Sequence, residues 1–236
     1  MPQLESGDVH LWTVQLDPMP QDNVLRDVLS SDERNRAARF HFSEHRALYE
    51  QARFALRCIV GAYIAINPAA VQFEYGPYGK PELAGDNSLR FNLSHSGDLA
   101  IVGLAKASPV GVDVERIRPV HEVEGVARRF FRPEEADAVL ARNGRERIRA
   151  FFRIWTRKES LLKLTGEGLH RPLNTLLSTD LETEHLDVVP GHAILGLPET
   201  VYVHSAAFGS EYVGAIAYYG TRRRVVQFDW NNLPRK

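Results

Sequence analysis

Cysteine is almost missing from this chain, with Cys58 the single one in 236 residues. An intramolecular disulfide is thereby excluded. The thiol lies in the apolar run from Ala55 to Ile64, the setting of a small buried hydrophobe rather than a nucleophile. Long apolar runs are missing too, and none approaches the ~20 residues that a membrane-spanning helix needs. The opening MPQLESGDVH has no basic segment followed by an apolar stretch, so it does not read as a secretory signal. These absences predict a cytoplasmic protein with no membrane partner. An excess of one charge is lacking as well. Lys and Arg number 29 against 30 Asp and Glu, a formal net charge of −1, without the basic surplus that marks a nucleic-acid binder. Nor does any His or Cys spacing suit zinc.

What is present is ordinary globular material, 44% hydrophobic and 25% charged, enough to bury a core without covalent staples. The pattern mixes helix and strand. Alternation predicts strands at Val9 to Leu16, Val71 to Tyr75, Leu89 to Leu93, Leu99 to Ala105 and Val110 to Glu115. It predicts further strands at Thr175 to Thr179, Val201 to Ala207 and Tyr212 to Tyr219. Helices are expected at Ser30 to Phe40, Glu44 to Ile66, Val123 to Phe131, Pro133 to Arg142 and Arg145 to Leu164. The break at Ala107 to Pro109 divides the chain into 1–107 and 108–236, and the basic end from Arg222 to Lys236 reads as a solvated tail.

Acidic residues carry the chemistry. In Gly111-Val112-Asp113-Val114-Glu115 the valines share one strand face and the acids the other, with their Cα atoms about 7 Å apart. A cation between such carboxylates favours keeping both ionised; taken alone, a strand with one solvated face is the plainer account of them. Glu159 is the sharper signal, since helical spacing places it among Ile148, Phe151, Phe152, Trp155 and Leu162, and a carboxylate in an apolar stripe is costly unless paired. Lys163 follows it by one turn, so a simple helical ion pair is the plainer alternative. Three hard oxygen donors suit Mg²⁺. Candidate phosphate contacts are Gly79-Lys80-Pro81 on a stiff turn, Asn92-Leu93-Ser94-His95-Ser96 at a strand end, and the arginines Arg36, Arg39, Arg46 and Arg53.

Taken in order, these stretches resemble the 4′-phosphopantetheinyl transferases of the surfactin-synthetase type. The matching segments are Arg34 to Phe40, Gly79 to Pro81, Asn92 to Ser96, Gly111 to Glu115, and Trp155 to Lys163 with Gly166 and Gly168. Ser160 stands where the family often has alanine. The resemblance implies an α+β fold of two similar α/β subdomains in one chain, a pseudo-dimer with the active site in the cleft between them. Residues 1–107 would bind coenzyme A, and 108–236 would carry Mg²⁺ and catalysis. The enzyme would transfer the phosphopantetheine arm of coenzyme A to a serine of an apo acyl, peptidyl or aryl carrier protein. Adenosine 3′,5′-bisphosphate would be released. The resemblance assigns the metal to Asp113, Glu115 and Glu159. It assigns coenzyme A to Arg36, Gly79, Lys80, Pro81, Asn92, Ser94, His95 and Asp113, with Arg36 and His95 at the 3′-phosphate end and Lys158, Glu159 and Lys163 at the pyrophosphate. Catalysis would fall to Glu159, Lys163 and Asp113. The basic and aromatic stretch Arg116 to Arg132, with Arg118, Arg128, Arg129, Phe130 and Phe131, is the expected docking surface for the carrier, with a solvated basic helix face and two core phenylalanines as the alternative, and a monomer is expected.

Overall fold

A computed structural model describes residues 1–17, 24–85, 88–166, 171–176, 186–189 and 200–232. The chain forms a mixed α+β fold. In order the elements are β1 (Asp8–Gln15), α1 (Val24–Val28), α2 (Ser31–Ala37), α3 (Ser43–Tyr63), β2 (Phe73–Tyr75), β3 (Pro81–Leu83), β4 (Leu89–Ser96), β5 (Leu99–Lys106) and β6 (Val110–Arg116). There follow α4 (Val123–Phe130), α5 (Pro133–Leu140), α6 (Gly144–Thr165), β7 (Leu186–Val189), β8 (Val201–Phe208), β9 (Tyr212–Tyr219) and β10 (Arg224–Asp229). Two four-stranded sheets result, ordered β10-β1-β5-β4 and β6-β9-β8-β7, with β2 and β3 as a separate hairpin.

Period-two alternation sorts the side chains into layers. In β1, Trp12 and Val14 face α3 and meet its Leu56 and Ile59, while Val9 and Leu11 face the second sheet. In β6, Val110, Val112 and Val114 point at the first sheet, which leaves Gly111, Asp113 and Glu115 toward α6. Helix α6 covers that face through Leu161, Leu162 and Leu164 against Val203, Ala215 and Ala217. The order is therefore helix, sheet, sheet, helix. β4 ends one sheet and β6 begins the other, and these two edges lie side by side.

Two expectations need correction. Residues 173–175 form a 3₁₀ turn, so Thr175 does not open a strand; 177–179 lie outside the described residues. Arg224–Asp229 is not a solvated tail but a strand paired in parallel with β1. This last strand completes the first sheet, which therefore draws on both 1–107 and 108–236. The reason is packing: Phe228 stacks on Trp12 at 4.8 Å and Trp230 meets it edge-on at 6.4 Å, which removes aromatic surface from water.

Candidate active site

The candidate site grows from the junction of β4 and β6. An edge strand leaves a row of backbone N–H groups without a ladder partner. Short polar residues at every second position of β4 satisfy that row on β6. Asn92 Oδ1 accepts from Val112 N–H at 2.8 Å, Ser94 Oγ from Val114 at 3.4 Å, and Ser96 Oγ from Arg116 at 3.1 Å. The two hydroxyls then donate to the neighbouring acids, Ser94 to Asp113 Oδ1 at 2.9 Å and Ser96 to Glu115 Oε2 at 2.7 Å. The stretch read as a run of phosphate donors is thus occupied in seaming two sheets. Ser94 has one donor and two acceptor positions, and all three are engaged, the last by Lys163 Nζ at 2.9 Å.

Helix α6 supplies the rest. Sequence spacing placed Glu159 inside a buried stripe; instead α6 is buried on most of its circumference, and Trp155, Glu159 and Lys163 form its half-open seam. Lys163 turns its ammonium to Asp113 Oδ1 at 2.6 Å rather than back to Glu159. Burial pushes the Asp113 carboxyl up, against the pull of Lys163. Glu159 is raised to about 7, first by burial and then by the charge of Asp113, with Lys163 opposing and Glu115 adding. His95 is exposed by area, yet the protein around it and the Lys163 ammonium hold its imidazole below the ordinary value, against Glu115.

Among the described residues, no three His, Cys, Asp or Glu side chains form a finished metal cage. The donors nevertheless fit a hard cation. Asp113 Oδ2 is buried with no hydrogen-bond partner, Ser96 and Arg118 both engage Glu115 through Oε2, which leaves Oε1 open, and burial together with the charge of Asp113 holds Glu159 back from ionising, a penalty that a cation would relieve.

Other expected residues divide. Arg36 and Gly79 line an open cavity of about 750 Å³ with Asp32, Arg39, Tyr49 and Tyr75. Arg36 lies over the Tyr49 ring at 5.8 Å, and α2 is pinned to α3 by a buried Glu33 paired with Arg53 at 2.6 Å and Arg57 at 2.5 Å. Arg53 is therefore structural. Lys80 and Pro81 follow Gly79, but the Lys80 ammonium turns inward to the carbonyls of Val110, Lys163 and Leu164 at 3.1, 2.6 and 3.2 Å. It tethers the hairpin to the end of α6, and burial lowers it to about 8. Lys158 corrects the expectation most sharply. It is fully buried, 2.8 Å from Glu135, donates to the Leu173 and Leu176 carbonyls, and does not face the acids. Lys163 is five positions further on, which puts the two about 140° apart around the helix.

The expected docking stretch is also partly spent. Phe131 is core; Arg128 pairs with Glu124 and Asp137, Arg132 with Glu134, and Arg118 with Glu115. Arg116 and Arg129 stay exposed without an ion pair among the described residues. Cys58, its thiol pushed up to about 11 by burial, takes no part. The sequence reading missed the aromatic walls Phe40, Tyr49 and Tyr75 of the cavity and the role of Ser96. The alternation Asn-x-Ser-x-Ser was the available signal for the latter.

Two family models match the chain. One, described as the 4′-phosphopantetheinyl transferase superfamily, covers residues 109–217; the other, 4′-phosphopantetheinyl transferase, N-terminal, covers 17–107. The 4′-phosphopantetheinyl transferase HetI of Nostoc sp. is 39% identical over 199 residues, 82% of this chain and 84% of that protein. The 4′-phosphopantetheinyl transferase psf-1 of Bacillus pumilus is 31% identical, with 80% and 79% covered. The 4′-phosphopantetheinyl transferase Sfp of Bacillus subtilis is also 31% identical, with 67% and 70% covered.

Proposed function

The chain belongs to the 4′-phosphopantetheinyl transferase superfamily and is an enzyme of that kind, and on that premise we propose that its substrates are coenzyme A and the serine of an apo acyl, peptidyl or aryl carrier protein. The serine oxygen bonds to the phosphorus that bears the pantetheine arm, the bridging bond to the nucleotide phosphate breaks, and adenosine 3′,5′-bisphosphate leaves. The observation that carries this reading is the gathering of Asp113, Glu115, Glu159 and Lys163 at one strand junction, with a buried carboxylate oxygen left open.

Asp113, Glu115 and Glu159 are the residues that would hold Mg²⁺. Bound there, the ion would neutralise charge on the pyrophosphate oxygens. The chain's own groups supply the proton chemistry. Glu159 is the group that would take the serine proton, directly or through an ordered water; its carboxyl is raised to about 7 while no cation is bound. Lys163, steered by Asp113 and Ser94, is the donor for the departing phosphate oxygen. The cavity beside Arg36 and Arg39 suits the 3′-phosphate end, since guanidinium forks bind phosphate well and the aromatic walls offer a base a stacking face. His95 would join Arg36 at the 3′-phosphate end. Arg116 and Arg129, without an ion pair among the described residues and lying over Tyr212 and Phe130, are the cations that an acidic carrier helix would meet. The paired sheet-and-helix halves support a pseudo-dimer within one monomeric chain.

The test is to incubate the protein with coenzyme A, Mg²⁺ and an apo carrier and to weigh the carrier. A gain of one phosphopantetheine arm is expected. Free bisphosphate without an adduct would mark a pyrophosphatase, and no change a binding module. Glu159→Gln should fold normally and lose transfer by at least about 100-fold; near-normal turnover by that variant would remove Glu159 as the base.

A further inference from the structure

The seam between β4 and β6 has three rungs. At the first, Asn92 caps Val112 N–H, and the facing β6 residue is Gly111, whose missing side chain is replaced by the backbone of α6. That rung is structural. At the second, Ser94 accepts from Val114 N–H and donates to Asp113 Oδ1, which also takes Lys163. At the third, Ser96 accepts from Arg116 N–H and donates to Glu115 Oε2, which also takes Arg118 at 2.9 Å. The second and third rungs follow one rule. A backbone N–H can only donate, so it uses a lone pair of the hydroxyl and turns the hydroxyl proton toward the acid. Each acid then has one oxygen held by a serine and a cation, and its other oxygen is left open.

We infer that Ser96 is a positioning residue for the candidate metal site, holding Glu115 by Oε2 so that Oε1 faces the cation. This rests on the proposal that the three acids bind a divalent ion. Arg118 cannot do the same alone, because its guanidinium is mostly exposed and its hold on Glu115 is a surface ion pair that water and salt weaken. Ser96 is half-buried and anchored to the β6 backbone, so it selects one carboxylate rotamer before the ion arrives. Outer partners of this kind commonly change metal affinity by roughly 10- to 100-fold when removed.

Mn²⁺ is the probe, titrated into the protein with coenzyme A present, with free Mn²⁺ read by electron paramagnetic resonance. Ser96→Ala is expected to raise the Mn²⁺ Kd by about 10-fold or more, while Ser96→Thr, which keeps the hydroxyl, stays near wild type. In the transfer assay, Ser96→Ala should need correspondingly more Mg²⁺ for half-maximal rate and recover most of kcat at saturation. Arg118→Met should move the Kd less than Ser96→Ala. A wild-type protein that binds Mn²⁺ and an Ser96→Ala variant with the same Kd would overturn the positioning role alone. A wild-type protein that binds no Mn²⁺ would overturn the cation reading beneath it.

Discussion

Glu159 owes its raised pKa first to the burial of its carboxyl beside α6 and then to the neighbouring charges of Asp113 and Glu115, with Lys163 opposing. The direction sets a pH dependence. The unfolded carboxyl releases its proton near 4.5 and the folded one near 7. Between those values the folded state keeps a proton that the unfolded state has lost, so the metal-free protein loses stability as pH rises through that window. Above it the penalty is complete, about 1–3 kcal/mol once partial solvent screening is allowed for. Glu159→Gln removes the penalty. Its melting temperature should exceed that of the metal-free wild type at pH 8 and match it near pH 4.5, measured by calorimetry in a chelator. Equal melting temperatures at pH 8 would mean that the carboxyl ionises without strain. Single residues were also where the sequence was least readable. Lys158 and Lys163 look equivalent as letters, yet helical geometry sends one to Glu135 and the other to Asp113. Lys80 follows a glycine turn as a phosphate ligand would, but a helix end with carbonyls to satisfy lies beneath it.

Among elements, β6 against α6 decides how near Asp113 comes to Glu159. Gly111 makes the contact. A Cβ there would lie 2.1 Å from the Ser160 carbonyl oxygen and 2.4 Å from the Leu164 nitrogen, both backbone atoms that cannot turn aside. Gly111→Ala must push the helix away, at a cost of about 2–4 kcal/mol. It should also cut kcat per folded molecule, because the acids and Lys163 separate. Ser160 sits at the same contact, and its hydroxyl merely bonds the Arg157 carbonyl within the helix, so Ser160→Ala should stay within about 0.5 kcal/mol of wild type with full activity. Denaturant melts and single-turnover rates on the two variants check both claims, and a Gly111→Ala protein with wild-type stability would deny the close approach. Most elements here were readable in advance. The alternation of Val110, Val112 and Val114 and the turn at Gly76 to Gly79 are local signals. The edge-to-edge meeting of β4 and β6 was not, because it joins residues about 20 apart through side chains rather than a ladder.

At the scale of the whole molecule, the two sheets are not two consecutive stretches of chain. After building β8 and β9 in the second sheet, the chain returns through Arg224–Asp229 to the outer side of β1. The sequence did carry a local sign of this strand, since Val226, Phe228 and Trp230 alternate with Gln227 and Asp229; three preceding arginines masked it as a basic end, and parallel pairing with residues more than 200 positions away leaves no local sign of the partner. The strand nonetheless closes the first core. Phe228 and Trp230 pack on Trp12, Arg224 pairs with Asp8 at 2.9 Å, and Asn231 bonds the backbone of Gln15. No candidate site residue lies in it. Removing residues 222–236 should therefore separate stability from chemistry. Two aromatic side chains return to water and β1 becomes an open edge, a loss of about 3–5 kcal/mol. The truncated chain should melt well below the full one and aggregate on warming. At low temperature, where it is still folded, kcat and the KM for coenzyme A should hold, because β4, β6 and α6 keep their contacts. An unchanged melting temperature would return this segment to the status of a solvated tail. A lost kcat in a folded, truncated protein would show instead that the site depends on how the first sheet is closed.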